Sequence, residues 1–166
     1  MRKRLVCLAV MATLMLGPGA ALAQGGQIAF GSTQGSRNLP VEVTADNLNV
    51  NQNDGTAVFT GNVVIGQGDM RLSAPRVLVI YLEDQSGIEE LRASGGVVLV
   101  SGEDAAEARE ADYNLQNGLI LLRGDVLLLQ GENAISSEEM TVNTNSGTAR
   151  MSGRVRTLLQ PEQDTQ

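Results

Sequence analysis

The sequence predicts an all-β domain built from repeated antiparallel hairpins. Three observations lead there. First, an apolar residue, a polar residue and Gly-x-Val recur four times: Phe59-Thr60-Gly61-Asn62-Val63, Ala93-Ser94-Gly95-Gly96-Val97, Leu122-Arg123-Gly124-Asp125-Val126 and Met151-Ser152-Gly153-Arg154-Val155. The glycines lie 34, 29 and 29 residues apart, and a fixed interval of this size marks a repeat architecture. Second, a turn dipeptide precedes each copy: Asp54-Gly55, Ser86-Gly87, Asn117-Gly118 and Ser146-Gly147. Third, apolar and polar residues alternate with period two between these landmarks, the pattern of a strand buried on one face. A long surface or groove of stacked hairpins follows from this, not a compact catalytic pocket.

Residues 1–23 read as a cleaved signal peptide. Arg2, Lys3 and Arg4 give a basic start, Leu5 to Leu16 an apolar run, Gly17-Pro18-Gly19 a helix break, and Ala21-Leu22-Ala23 a small-x-small cleavage site before Gln24. The run is too short to stay as a membrane span. Cys7 lies inside it, so it cannot be a lipoprotein cysteine. Export is the expectation, to the periplasm where the cell has two membranes. Residues 24–40 are rich in Gly, Gln and Ser and end in Pro40. They read as a flexible lead in which Ile28-Ala29-Phe30 can touch down. The β domain is expected over 41–157, with a polar tail at 158–166.

Composition removes whole classes of chemistry. After residue 23 the chain has no His, Cys or Lys, and its nine basic residues, all Arg, face nineteen acidic ones. Ser-His-Asp and Cys-His catalysis, a Ser-Lys dyad and a Schiff-base lysine are impossible, as is a zinc site of the usual ligands. The acidic balance argues against nucleic acid. Paired carboxylates for glycoside hydrolysis or oxygen ligands for Ca²⁺ remain. No motif supports either, and the acids, as in Glu103-Asp104 and Glu138-Glu139, read as solvated surface. No cofactor, no metal and no enzymatic activity are expected.

The strands follow in order. Val41-x-Val43-x-Ala45 and Leu48-x-Val50 alternate, with a parity switch between Ala45 and Leu48 that implies a bulge or corner. Ala57-x-Phe59-x-Gly61-x-Val63-x-Ile65 is the clearest alternation, followed by Met70-x-Leu72-x-Ala74 and Val77-x-Val79-x-Tyr81. Tyr113-x-Leu115, Val126-x-Leu128, Met140-x-Val142 and Ala149-x-Met151-x-Gly153-x-Val155 complete the set. Leu119 to Leu122 and Val126 to Leu129 are apolar on both parities, as in a strand buried on both faces or packed at an interface. Glu103 to Asp112 has helix-forming composition but fills the strand slot of the third repeat, so a strand is expected there. The repeated glycine marks a bend or a close approach of another group. With two Phe, two Tyr and no Trp, the interior must be lined by aliphatic side chains.

Ala45-Asp46-x-Leu48, Phe59-Thr60-Gly61-Asn62-Val63, Gln67-Gly68, Ala111-x-Tyr113 and Leu121-x-x-Gly124-x-Val126 resemble the OstA-like family over roughly Val41 to Val155. One departure is Ala74-Pro75, where the family tends to have Ala-Asp. Lacking an N–H, Pro75 is expected at an edge or a strand start. The resemblance implies an antiparallel β-jellyroll, open at both ends. It implies a periplasmic bridge that binds lipopolysaccharide by its lipid A acyl chains in an apolar groove and passes it from the inner to the outer membrane. The implied partners are an inner-membrane anchored transport component, the outer-membrane lipopolysaccharide translocon and further copies of the chain, end to end.

Under that reading the groove residues are Val43, Leu48, Val50, Phe59, Val63, Ile65, Leu72, Val79, Tyr113, Leu115, Val126, Leu128, Met140, Val142 and Met151, the inward parity of each strand. Phe59 and Tyr113 are the largest of them. The jellyroll's first and last strands, Val41 to Ala45 and Ala149 to Thr157, are expected to have unpaired edges open to β-augmentation. Val41, Val43, Arg150, Arg154 and Arg156 belong to them. The three arginines form a basic strip, either a solvated, charge-protected edge or a contact for acidic partner residues or lipid phosphates. Asp46 and Asp112 read as turn formers. The competing class is an extracellular structural β-solenoid or adhesin-type repeat without lipid binding.

Overall fold

In the computed structural model, which describes residues 27–31 and 39–159, every regular element is a strand. In chain order these are β1 (Ile28–Ala29), β2 (Glu42–Thr44), β3 (Asn47–Asn51), β4 (Thr56–Gln67), β5 (Met70–Tyr81), β6 (Ile88–Ser101), β7 (Asp104–Asn114), β8 (Leu119–Gln130), β9 (Asn133–Asn143), β10 (Thr148–Ser152) and β11 (Arg156–Leu158). They form one antiparallel sheet in the order β1-β10-β9-β8-β7-β6-β5-β4-β2, with β3 also on β4 and β11 also on β9. The expected signal peptide lies outside the described residues.

Each long strand from β4 to β8 has an interruption that lines up with those of its neighbours across the sheet, and the β5–β6 ladder shifts a second time, between Ile80 and Tyr81. Register breaks fall between Thr60 and Val63, Ser73 and Arg76, Ser94 and Val97, Glu107 and Glu110, and Arg123 and Val126. In β4, β6 and β8 the break holds two residues of positive φ: Gly61-Asn62, Gly95-Gly96 and Gly124-Asp125. Gly153-Arg154 repeats the geometry between β10 and β11. Facing them are Asp46, in the corner between β2 and β3, and Pro75, Arg109 and Glu138 on the neighbouring strands. A Cβ on Gly61 would stand 2.4 Å from Asp46 Oδ2, and one on Gly153 would stand 2.6 Å from Glu138 Oε2. The recurring glycine is thus both a bend and a close approach.

Three of these four corners are also bridged by the residue after the glycine. Asn62 Nδ2 donates to Asp46 Oδ2 at 2.9 Å, Arg109 pairs with Asp125, and Arg154 Nε donates to Glu138 Oε1 at 2.6 Å. The partners are 16 residues apart every time. The corner at Gly95-Gly96 opposite Pro75 has no side chain that can make such a bridge. Because Arg109 and Asp125 are 73% and 77% exposed, a double-mutant cycle in urea is expected to give a coupling below about 1 kcal/mol. A coupling several-fold larger would make this bridge a main support of the bend.

Pro75 corrects its expectation. It sits at neither an edge nor a strand start, but inside β5, in the gap between Ser73 and Arg76 where the ladder with β6 is broken. A residue without an N–H costs little where the ladder asks for none. The parity switch foreseen between Ala45 and Leu48 is the same corner at the start of the sheet, with Asp46 N–H donating to Gly61 O at 2.9 Å. Asp46 therefore closes a corner instead of forming a turn. Asp112 lies within β7 and pairs with Arg123.

The corners divide the sheet into two arms. The first ends in the β4–β5, β6–β7 and β8–β9 turns, the second in the β3–β4, β5–β6, β7–β8 and β9–β10 turns. The second set contains all four foreseen turn dipeptides. Gly55, Gly118 and Gly147 there have positive φ. Asn114 and Asn143 side chains accept backbone N–H bonds from the next turn residues. Only one face of the sheet is buried, and no second layer exists among the described residues to cover it. The sheet covers itself, arm against arm. Tyr113 of the second arm donates its hydroxyl to Gln67 Oε1 of the first at 2.7 Å. The result is the expected open antiparallel β-jellyroll.

Both ends carry features the strand pattern left out. β1 covers Thr148 and Ala149 of β10, so that part of the last strand is not a free edge. β11 runs through Leu158, beyond the expected boundary at 157.

Candidate functional site

The inner face of the folded sheet is a continuous aliphatic surface. Inward residues of adjacent strands stand opposite one another across it: Ile65, Leu72, Leu99, Ala106, Leu128 and Ile135 form one row in the first arm. Val79, Leu91, Tyr113, Ile120, Val142 and Ala149 form one in the second. Burial of these rows follows from period-two alternation, re-phased at Pro75, Arg109 and Glu138 so that the apolar parity stays inward on both sides of the corner.

Of the residues expected to face inward, Val63, Ile65, Leu72, Val79, Tyr113, Val126, Leu128, Met140 and Val142 are buried in this core. Val43, Phe59, Leu115 and Met151 are partly buried and packed against it. Leu48 and Val50 differ. Their register partners are Phe59 and Ala57, which places them on the inner face, yet they are 56% and 55% exposed. β3 is the last strand of the second arm, and little stands over it. Enclosure therefore fails at the β3 end, where the aliphatic surface emerges as an apolar mouth.

Several inner-face residues escape the sequence pattern. Phe30 is 0% exposed, although it belongs to the Gly-rich lead. Leu91, Leu99, Ile120 and Leu122 are also enclosed. The last two lie in the stretch that is apolar on both parities, where periodicity cannot choose a face. Their outward neighbours Leu119, Leu121 and Leu127 are only partly covered, and Leu129 is exposed. That strand is thus buried on one face, with apolar residues on its outer side as well.

The inner face carries no charge among the described residues. Its buried polar side chains are Gln67, Ser101, Ser137 and Thr144, together with the Tyr113 hydroxyl. Thr144 Oγ1 donates to Gly118 O at 2.9 Å, and Ser137 Oγ to Glu139 O at 2.9 Å. Charges stay on the outer face, where Arg92 pairs with Glu90 and Arg123 with Asp112. The hydrogen bond to Glu90 raises the Arg92 pKa above its ordinary value. The Ser86 hydroxyl and N–H hold the Asp84 carboxyl below the usual range in the β5–β6 turn. Both effects are local surface pairings. Among the described residues no cluster of acidic side chains is arranged to hold a metal ion.

Val41 and Val43 pack against the core, and β2, which holds Val43, pairs among the described residues only with β4. Arg150 points outward from β10 opposite Thr141, and Arg156 from β11 opposite Ser136. Arg154 is not free for a partner's acid in this state, since it bridges Glu138 at the last corner.

Comparison with known proteins meets this geometry. The family described as LptA/(LptD N-terminal domain) LPS transport protein matches residues 42–148. An uncharacterized protein of Rhizobium meliloti (strain 1021) is 31% identical over 112 residues, 63% of this chain and 60% of that protein. The match thus spans under two thirds of that relative's length. Among solved structures, LptH of Pseudomonas aeruginosa, described as the LptA homologous periplasmic component of the conserved lipopolysaccharide transport device, superposes with a TM-score of 0.68 at 19% identity. That match covers 76% of this chain and 99% of LptH.

Proposed function

Since the chain belongs to the LptA/(LptD N-terminal domain) family of LPS transport proteins, which are carriers and not enzymes, we propose that it is a periplasmic carrier that holds the acyl chains of lipid A between its two arms and hands lipopolysaccharide from the inner towards the outer membrane. One observation carries this reading: an uncharged aliphatic face runs through the molecule and emerges as an apolar mouth at Leu48 and Val50.

The physics suits a carrier. Burying an acyl chain of about twelve CH₂ groups is favourable by roughly 10 kcal/mol before ordering costs. A face that repeats the same aliphatic environment strand after strand lets a chain shift along it with little change in energy. The arms meet directly in this structure, so a guest must part them. A line of glycine corners offers a place to flex, above all at the unbridged Gly95-Gly96. No catalytic group is required, because the carrier makes and breaks no bond.

Hand-over needs an interface at each end. The free side of β2 and the apolar mouth beside β3 would receive one neighbour, and the β10–β11 end the other, by strand addition. The neighbours are an anchored inner-membrane component, the outer-membrane translocon and further copies of this chain. Arg150 and Arg156, outward at that last edge, would meet acidic residues of that neighbour.

The test is photocrosslinking in living cells, with a photoreactive residue at Phe59, at Tyr113 and, separately, at outward Arg150. Lipopolysaccharide adducts at Phe59 or Tyr113 but not at Arg150 are the expected result. Folded, exported protein with no adduct at either inward site would sink the carrier reading and favour a structural β-repeat.

A further inference from the structure

The lead segment 27–31 crosses from one arm to the other. β1 adds to β10 of the second arm through only two residue pairs, Ile28 with Ala149 and Ala29 with Thr148. The Phe30 N–H then donates to Gly147 O, in the β9–β10 turn of that arm, at 3.0 Å. One residue later the Gly31 N–H donates to Asp104 Oδ2, beside the β6–β7 turn of the first arm, at 2.7 Å. Gln130 Nε2, at the β8–β9 turn of the first arm, donates to Ala29 O at 2.8 Å and to Asp104 Oδ2 at 3.0 Å. Between these anchors the Phe30 ring enters the core and is fully enclosed.

We propose that residues 27–31 are a displaceable strap across the opening between the arms, and that the Phe30 ring occupies space that a lipid acyl chain takes when cargo loads. This rests on the carrier reading above. Three observations favour displacement over a permanent seal. The strap's hold is a two-residue strand and a few polar bonds at the arm tips, groups that water can satisfy once the strap lifts. Its apolar contribution is the Phe30 ring and the partly buried Ile28 side chain, which a longer hydrocarbon chain can replace in kind. Finally, the closed strap carries a cost. Ser101 Oγ is buried with no hydrogen-bond partner among the described residues, and Gly31 lies against it so closely that a Cβ there would be 2.3 Å away. The strap shields this hydroxyl from water, and lifting it removes the penalty of an unsatisfied buried group.

The chain has no tryptophan, so Phe30→Trp places a single fluorophore at the ring. The mature protein carrying it is titrated with deep-rough lipopolysaccharide, and lipid association is followed separately by co-migration on a sizing column. The expected result is lipid association accompanied by a shift of Trp emission to longer wavelength and new quenching by iodide. Lipid association with unchanged, unquenched emission would overturn the strap while leaving the carrier reading intact. No association with the unsubstituted protein would remove the carrier reading and the strap with it. Should Phe30→Trp not fold, Gln27→Cys gives an exposed labelling position at the start of the strap, since Cys7 is the only other cysteine and lies in the expected signal segment. A spin label there is expected to gain mobility when lipid binds. Unchanged mobility in lipid-bound protein overturns the strap equally.

Discussion

Leu99→Asp is expected to abolish the folded state at neutral pH. Leu99 is fully enclosed and stands in the inner row between Leu72 and Ala106. No cation lies on that face among the described residues, so an ionised carboxylate there would be unpaired, a penalty of several kcal/mol. Removing the leucine adds about 2–5 kcal/mol for lost packing. Together these rival the whole stability of a domain this size, about 5–15 kcal/mol. Burial raises the introduced acid's pKa above its unfolded value, so the damage is smallest below about pH 4 and grows as pH rises from there. Val100→Asp is the matched control, one residue along on the outer face, and should cost about 0.5 kcal/mol or less. Thermal melts followed by circular dichroism decide the matter. Equal melting temperatures for the two variants would show that the inner face is not enclosed here.

Gly61→Ala is expected to cost about 3 kcal/mol, measured as a shift in the urea midpoint. Gly61 has φ +79°, a region that charges an L-residue about 1–2 kcal/mol. Its new Cβ would stand 2.4 Å from Asp46 Oδ2 and 2.9 Å from Asp46 Cβ. Asp46 would have to move, breaking the bond from Asn62 and adding about 1 kcal/mol. Gly55→Ala separates backbone strain from crowding. Gly55 also has positive φ, +59°, but nothing lies within 4 Å of the point a Cβ would occupy there, so only about 1 kcal/mol is expected. If the two variants shift the midpoint equally, the corner is looser than its contacts indicate and the bend has another cause.

Much of this fold was legible in the residues. The four Gly-x-Val copies fall at the four corners, and the re-phasing between Ala45 and Leu48 announced the first of them. The longer first interval, from Gly61 to Gly95, reflects the β5–β6 hairpin, whose turn over 82–87 and whose flanking strands are both longer than those of the β7–β8 hairpin. What stayed hidden was the folding of the sheet onto itself. Alternation states which side chains share a face, not what covers that face. Leu48 and Val50 show the limit: the parity placed them on the inner side, while their exposure depends on β3 being the last strand of its arm. For Phe30 the sequence showed that Ile28-Ala29-Phe30 can touch down but not where, since a two-residue strand among Gly, Gln and Ser leaves no periodic signal. The corner bridges had a readable trace that alternation does not expose, namely complementary polar residues at a constant separation of 16, ending at the residue after three of the four glycines.

Under the proposed carrier function, that constant unit bears on how long the protein can be. Each repeat brings two strands, its own corner and its own inward rows, and it makes its ladder contacts only with its neighbours. Adding or deleting one unit would change the reach of the apolar track by two strand spacings, about 9–10 Å, without redesigning the rest. Distance could therefore be tuned in whole hairpins, and a cell envelope of different width could be matched by counting units instead of reshaping them.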